Sequence, residues 1–85
     1  MNVTVLVRPK QGILDPQGEA VAHALAGLGF PVSGARVGRI VDLELDVDDR
    51  EEAARLARSA AEQLLANALI ESFDVVDGRQ AAEAR

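Results

Sequence analysis

Apolar and polar residues alternate from the first positions of the chain. Val3, Val5 and Val7 point one way, and Asn2, Thr4, Leu6 and Arg8 the other, which is the two-residue period of a β-strand over 2–8. Pro9 ends the ladder or confines it to an edge. The valine face is expected to meet helices, while Leu6 gives the opposite face the partly apolar character a sheet-mediated dimer would use. The period then lengthens. Ala20, Val21, Ala24, Leu25 and Leu28 recur at helical spacing and predict a helix over 16–28. Asp15 is placed to cap its free N–H groups, and Pro16 loses nothing at the first helical position by lacking an N–H. Gly12 relaxes the backbone just before. Gly29 suits the left-handed residue after the helix, Phe30 folds back as its hydrophobic contact, and Pro31 forbids continuation.

Residues 32–47 read as two strands with a turn near Gly38. A two-residue turn would set Ala35 against Asp42; a three-residue loop, 38–40, pairs Val37 with Val41, Ala35 with Leu43 and Arg36 with Asp42. The second register is preferred, and a bulge is the other way to rescue the pattern. Asp48 and Asp49 compete to cap a second helix whose stripe is Ala53, Leu56, Ala57, Ala60 and Leu64, with Ala61 and Leu65 at its edge. Asn67 is read as a left-handed cap, and 69–76 as a last strand whose phase Glu71 breaks. The predicted fold is therefore α+β in the order β-α-β-β-α-β: a four-stranded, mainly antiparallel sheet with two helices on one face, in ferredoxin-like order. One domain spans 1–78, followed by a polar tail over 79–85.

Composition changes this picture in one respect. Nearly half of the 85 residues are apolar, but they are mostly Ala, Val and Leu, with two Phe and neither Tyr nor Trp. So small a core in so short a chain predicts help from another chain, with homo-oligomerisation the simplest form of it. The net charge of −5 argues against a nucleic-acid partner. No apolar run is long enough to span a membrane, so no membrane partner is expected. Strand-like sequence from Asn2 leaves no room for a signal peptide, and the expected compartment is the cytoplasm. With no cysteine, thiolate metal sites are excluded.

Catalytic chemistry is not apparent. His23 is the only histidine and falls on the outward part of the first helix, with no nucleophile beside it. Ser33, Ser59 and Ser72 lack a nucleophile-elbow context. Asp42, Glu44, Asp46, Asp48 and Asp49 resemble a metal cluster, but alternate strand residues lie roughly 7 Å apart, too far for one small ion. The glycines fit neither a Walker loop nor a dinucleotide fingerprint. No catalytic, metal or cofactor-binding residue is assigned. What stands out is cationic and amide-bearing: Arg8, Lys10, Gln11 and Gln17 around the first crossover, and Arg36 and Arg39 around the predicted hairpin turn, suited to acidic surfaces of another protein.

The run from Lys10 through Leu14-Asp15-Pro16-Gln17-Gly18 to Val21, then Leu28-Gly29-Phe30, Val37-Gly38-Arg39, and Leu64 to Glu71 resembles the PurS family over residues 2–76. Ala68 stands where that family usually has proline, Phe30 where tyrosine is common and Arg39 where lysine is common. The resemblance implies the small, non-catalytic subunit of the phosphoribosylformylglycinamidine (FGAM) synthase complex, which would join a glutaminase subunit to a large synthetase subunit and support ammonia transfer. The complex would use ATP and Mg to convert formylglycinamide ribonucleotide to formylglycinamidine ribonucleotide. The small subunit would act as a homodimer or homotetramer. Arg8, Lys10, Asp15, Gln17, Gly18, Arg36, Gly38 and Arg39 are its implied interface residues, with Asp15 and Gly18 shaping the crossover and the cations facing partners. The alternative is a regulatory α+β domain that binds a small molecule.

Overall fold

The valine alternation puts the first strand at the centre of the sheet. In the computed structural model, which describes residues 1–77, β1 (Asn2–Pro9) lies between β2 (Arg39–Glu44) and β3 (Glu71–Asp77), and both pairings are antiparallel. Val5 faces Val41 on one side and Val75 on the other; Val3 sits opposite Leu43, and Val7 opposite Phe73. These residues form one apolar face. α2 (Arg50–Ala60) crosses it, and Ala53, Ala57 and Ala61 are completely buried against the valines. Alanine on that stripe lets helix and sheet approach closely; Val5 and Val7 are the largest side chains fully enclosed. Of the two competing caps Asp49 is used, its carboxylate accepting from the Glu52 N–H at 3.2 Å.

The helix does not end at Ala60. A π-helical turn, Ala61–Leu65, follows, closed by the Ala66 N–H donating to the Ala61 carbonyl at 3.0 Å. The wider turn brings Leu65 and Ala66 to the core and leaves Leu64, expected inside, 83% exposed. The chain then reverses through 66–70. Asn67 is not left-handed: among the described residues only Gly12 and Gly29 have positive φ. It makes the turn with its side chain instead, Oδ1 accepting from the Leu69 N–H at 3.1 Å.

Two expectations are overturned. The sheet has three strands, not four, because 32–38 does not pair. Arg39 and Ile40, which the predicted loop needed, are already in the ladder opposite Val7 and Leu6. The Val37 N–H, which a strand would present to a neighbour, donates to the Asp15 carboxylate at 2.8 Å. Asp42, expected opposite Arg36, accepts from the Thr4 hydroxyl at 2.6 Å.

Nor do both helices cover one face. α1 (Pro16–Gly27) is capped as expected, with Asp15 Oδ1 accepting from the Gly18 N–H at 3.0 Å. It also ends as expected: Gly29 at φ +96° and Phe30 return their N–H groups to the carbonyls of Ala26 and Leu25. Yet among the described residues no element packs extensively along it, and Gly18 is its one buried residue there. Three strands at about 4.8 Å spacing are about 10 Å across, the width of one helix, and α2 occupies that width. The missing fourth strand and the displaced helix are thus one fact.

Candidate functional site

The implied interface residues converge on one end of the sheet, where β1 finishes, β2 begins and α1 starts. Asp15 is the knot. Besides capping α1 through Gly18, its second oxygen holds Val37, so one carboxylate ties the helix N-terminus to the segment that enters β2. These two backbone donors, Gly18 first and Val37 next, hold the Asp15 carboxyl below its ordinary pKa. Gly18 is buried because Ala35 runs over it: a Cβ there would lie 2.3 Å from the Ala35 carbonyl oxygen. Gly38 serves the same need from the other side, where a Cβ would come within 2.1 Å of the Val7 carbonyl oxygen in β1.

The cations divide into two kinds. Arg39 Nη1 donates to Glu71 Oε2 at 2.7 Å, and Nη2 donates to Glu71 Oε1 and to the Leu65 carbonyl. Glu71 Oε1 also accepts from the Asn67 N–H at 2.7 Å. Hydrogen bonding to Arg39 pulls the Glu71 carboxyl below its usual range and pushes the Arg39 guanidinium further up. Lys10 is also employed internally, its Nζ donating to the Ala68 carbonyl at 2.6 Å and its backbone N–H to Ile70 at 2.9 Å. Arg39, Glu71 and Lys10 therefore pin the 66–70 turn to the ends of β1 and β2. The Arg8 side chain is exposed and makes no hydrogen bond or ion pair with any described residue; among them Arg36 donates a hydrogen bond only to the Pro9 carbonyl, at 3.3 Å, and its charge helps hold the Asp15 carboxyl down.

Two adjoining clefts result. One lies on the open side of the sheet between Leu6, Arg8, Arg36 and Ile40. The other brings Asp15 and Gln17 together with Gly38, Arg39, Ile13, Leu14, Ile70 and Glu71. Gly38 and Arg39 border both. Lys10 borders neither. Around the second cleft, Leu14 is 71% exposed and Leu69, on the pinned turn, 84%. Sequence reasoning began the last strand at Leu69 and counted Glu71 as a flaw in its phase, whereas β3 starts at Glu71 and Leu69 lies exposed before it. That flaw was the available signal: a carboxylate on an apolar face implies a cation aimed at it. Among the described residues no cluster of three or more potential metal ligands occurs, and His23 lies exposed on α1. The arrangement offers surfaces, and no set of reacting groups.

A family model described as "PurS: Phosphoribosylformylglycinamidine (FGAM) synthase" matches residues 2–77. The chain is 45% identical over 76 residues to the phosphoribosylformylglycinamidine synthase subunit PurS of Mycobacterium leprae, covering 86% of this chain and 87% of the relative. It is 39% identical over 73 residues to that of Bacillus subtilis, covering 85% and 86%. Its fold is similar to a chain in the structure of PurLQS from Thermotoga maritima, with a TM-score of 0.79 at 29% identity over 87% of this chain and 92% of that one.

Proposed function

This chain belongs to the PurS family, and from that membership we infer that it is the non-catalytic bridging subunit of phosphoribosylformylglycinamidine synthase. The observation that carries this reading is the likeness, along nearly the whole chain, to a member of the PurLQS assembly. Its partners are the large synthetase subunit and the glutaminase subunit. The complex, and not this chain, uses ATP and Mg, and ammonia released from glutamine passes to the synthetase within the joined assembly. The work is soluble and cytoplasmic; among the described residues no helix is long and apolar enough to cross a membrane.

The fold supports a bridge in physical terms. α1 carries Val21 and Leu28 at 42% and 74% exposure, with Phe30 beyond it at 55%, and its own sheet has no width left to receive them. Apolar surface of that kind on a small domain is stabilised by burial against another chain. A homodimer, or a homotetramer built from two dimers, covers it. The end of the sheet at Asp15, Gln17, Gly18, Gly38 and Arg39, with Arg8, Lys10 and Arg36 about it, then faces the larger subunits.

The test is glutamine-dependent formation of the amidine product by the matching synthetase and glutaminase, with and without this chain, beside light scattering of the mixture. Activity and a three-component assembly that appear only with the chain present are expected. Full activity without it, and no association, would remove the reading and favour a ligand-binding module.

A further inference from the structure

We propose that the groove between Arg8 and Arg36 receives an acidic segment of a partner polypeptide, with carboxylates on the two guanidinium groups and an apolar side chain against Leu6 and Ile40. The proposal rests on the bridging reading, since that partner is taken to be one of the two larger subunits. Its ground is the way the chain distributes its cations. Arg39 is neutralised by Glu71, Lys10 is held on a backbone carbonyl, and Arg55 lies 3.9 Å from Glu52. Arg8 has no partner among the described residues, and Arg36 has only a neutral one. Asp15 is close, but its two oxygens are taken by Gly18 and Val37. In a chain of net charge −5, the Arg8 guanidinium, without an ion pair among the described residues, and that of Arg36, opposed only by the nearby Asp15 charge with no hydrogen bond to it, border one groove of about 670 Å³.

The floor of the groove argues for a polypeptide over a free anion. Ile40 is 60% exposed and Leu6 half-buried beside it, so the groove offers apolar contact as well as charge. Both arginines are exposed, and neither is enclosed as a donor in a closed anion pocket would be. Guanidinium groups on an open surface favour planar, bidentate carboxylates. The rest of the face sets direction: Asp42 and Glu44 are exposed further along β2, and Asp74 stands across β1 from the groove opposite Leu6, so an acidic segment is favoured toward Arg8 and Arg36 and disfavoured over β3 and the far end of β2.

The experiment measures association of the full chain with the purified synthetase and glutaminase, for wild type and for Arg8→Glu with Arg36→Glu, at about 50 and about 500 mM NaCl. Wild-type affinity should fall with salt. The double variant should bind about tenfold or more weakly at low salt, lose most of the salt dependence, and keep its own oligomeric state and a Tm within about 2 °C. Should charge reversal disturb folding, Arg8→Gln with Arg36→Gln carries the same expectation. Equal binding by variant and wild type, with the assembly otherwise intact, overturns the groove and leaves the bridge standing. Failure of the wild type to associate at all overturns both. Saturable binding of inorganic pyrophosphate to wild type, with association untouched in the variant, assigns the groove to a small anion and overturns the polypeptide.

Discussion

Gly38→Ala tests whether the end of β1 is as tightly crossed as it looks. A Cβ at this position would lie 2.1 Å from the Val7 carbonyl oxygen and 3.2 Å from the Arg8 Cα, both backbone atoms of the central strand. Relief therefore needs a shift of about 1 Å in β1, in β2, or in both, because no flexible side chain is there to yield. Overpacking of this kind costs about 1–3 kcal/mol. Removing a glycine from the unfolded chain returns only about 0.4–1 kcal/mol. The φ of Gly38 is not positive, so the substitution adds no left-handed strain to confuse the sign. Gly34 is the control, four positions away in the same unpaired segment, also without positive φ and with nothing within 4 Å of its would-be Cβ. Gly34→Ala should be neutral or stabilise by up to about 1 kcal/mol. Urea unfolding of both variants at one protein concentration reads the difference directly, and Gly38→Ala should be about 1–3 kcal/mol less stable than Gly34→Ala. If the two variants agree within about 0.5 kcal/mol, the crossing of Gly38 over the end of β1 is loose and the close approach described here is wrong.

Val5→Ala removes the equivalent of two buried methylenes from the most enclosed side chain and should cost about 2–3 kcal/mol by denaturant titration, cavity included; less than about 1 kcal/mol would mean that the sheet and α2 collapse into the space. Asp15 and Glu71 both have folded pKa values below their unfolded ones, so each contributes stability that is full above about pH 5 and is lost as pH falls through the lowered value. Accordingly, the gap in stability between wild type and Asp15→Asn, or Glu71→Gln, should be greatest near neutrality and narrow below about pH 4; a gap that widens in acid would contradict the hydrogen bonding described here.

How much of this was legible in the sequence follows from what each signal measures. Caps and stripes are local, and Asp15, Pro16, Gly29 and Asp49 act as their positions imply. The alternation of 41–47 separates inside from outside, and that of β1 does so except at Thr4, which is buried on the other face with its hydroxyl on Asp42. Pairing is not local. Val37 alternates well enough for a strand, but its N–H is claimed by a carboxylate twenty-two residues earlier, an interaction no periodicity records. The stripe of α1 was likewise real and was referred to the wrong acceptor: amphipathicity says that a face will be covered, not by which surface. At the site, the residue types around the crossover pointed to the right end of the molecule. They did not distinguish cations turned inward, Lys10 and Arg39, from those left outside, Arg8 and Arg36, because that division depends on where Ala68, Leu65 and Glu71 arrive in space.

The attachment of α1 through its first turn alone has a consequence for fraying of the helix. Beyond Gly18 the helix has the stability of a short isolated peptide, and twelve residues are marginal in water. The chain thus divides into a sheet packed by α2 and a helix joined to it at its first turn. Fraying is expected to run from Gly27 back toward Asp15 and to expose Leu25, Val21 and the alanines between them, and burial of that face against another chain is expected to suppress it. Limited proteolysis of the chain alone and of the chain with the synthetase and glutaminase reads this directly: cleavage within α1 before α2 in the free chain, and protection of α1 in the mixture, are expected.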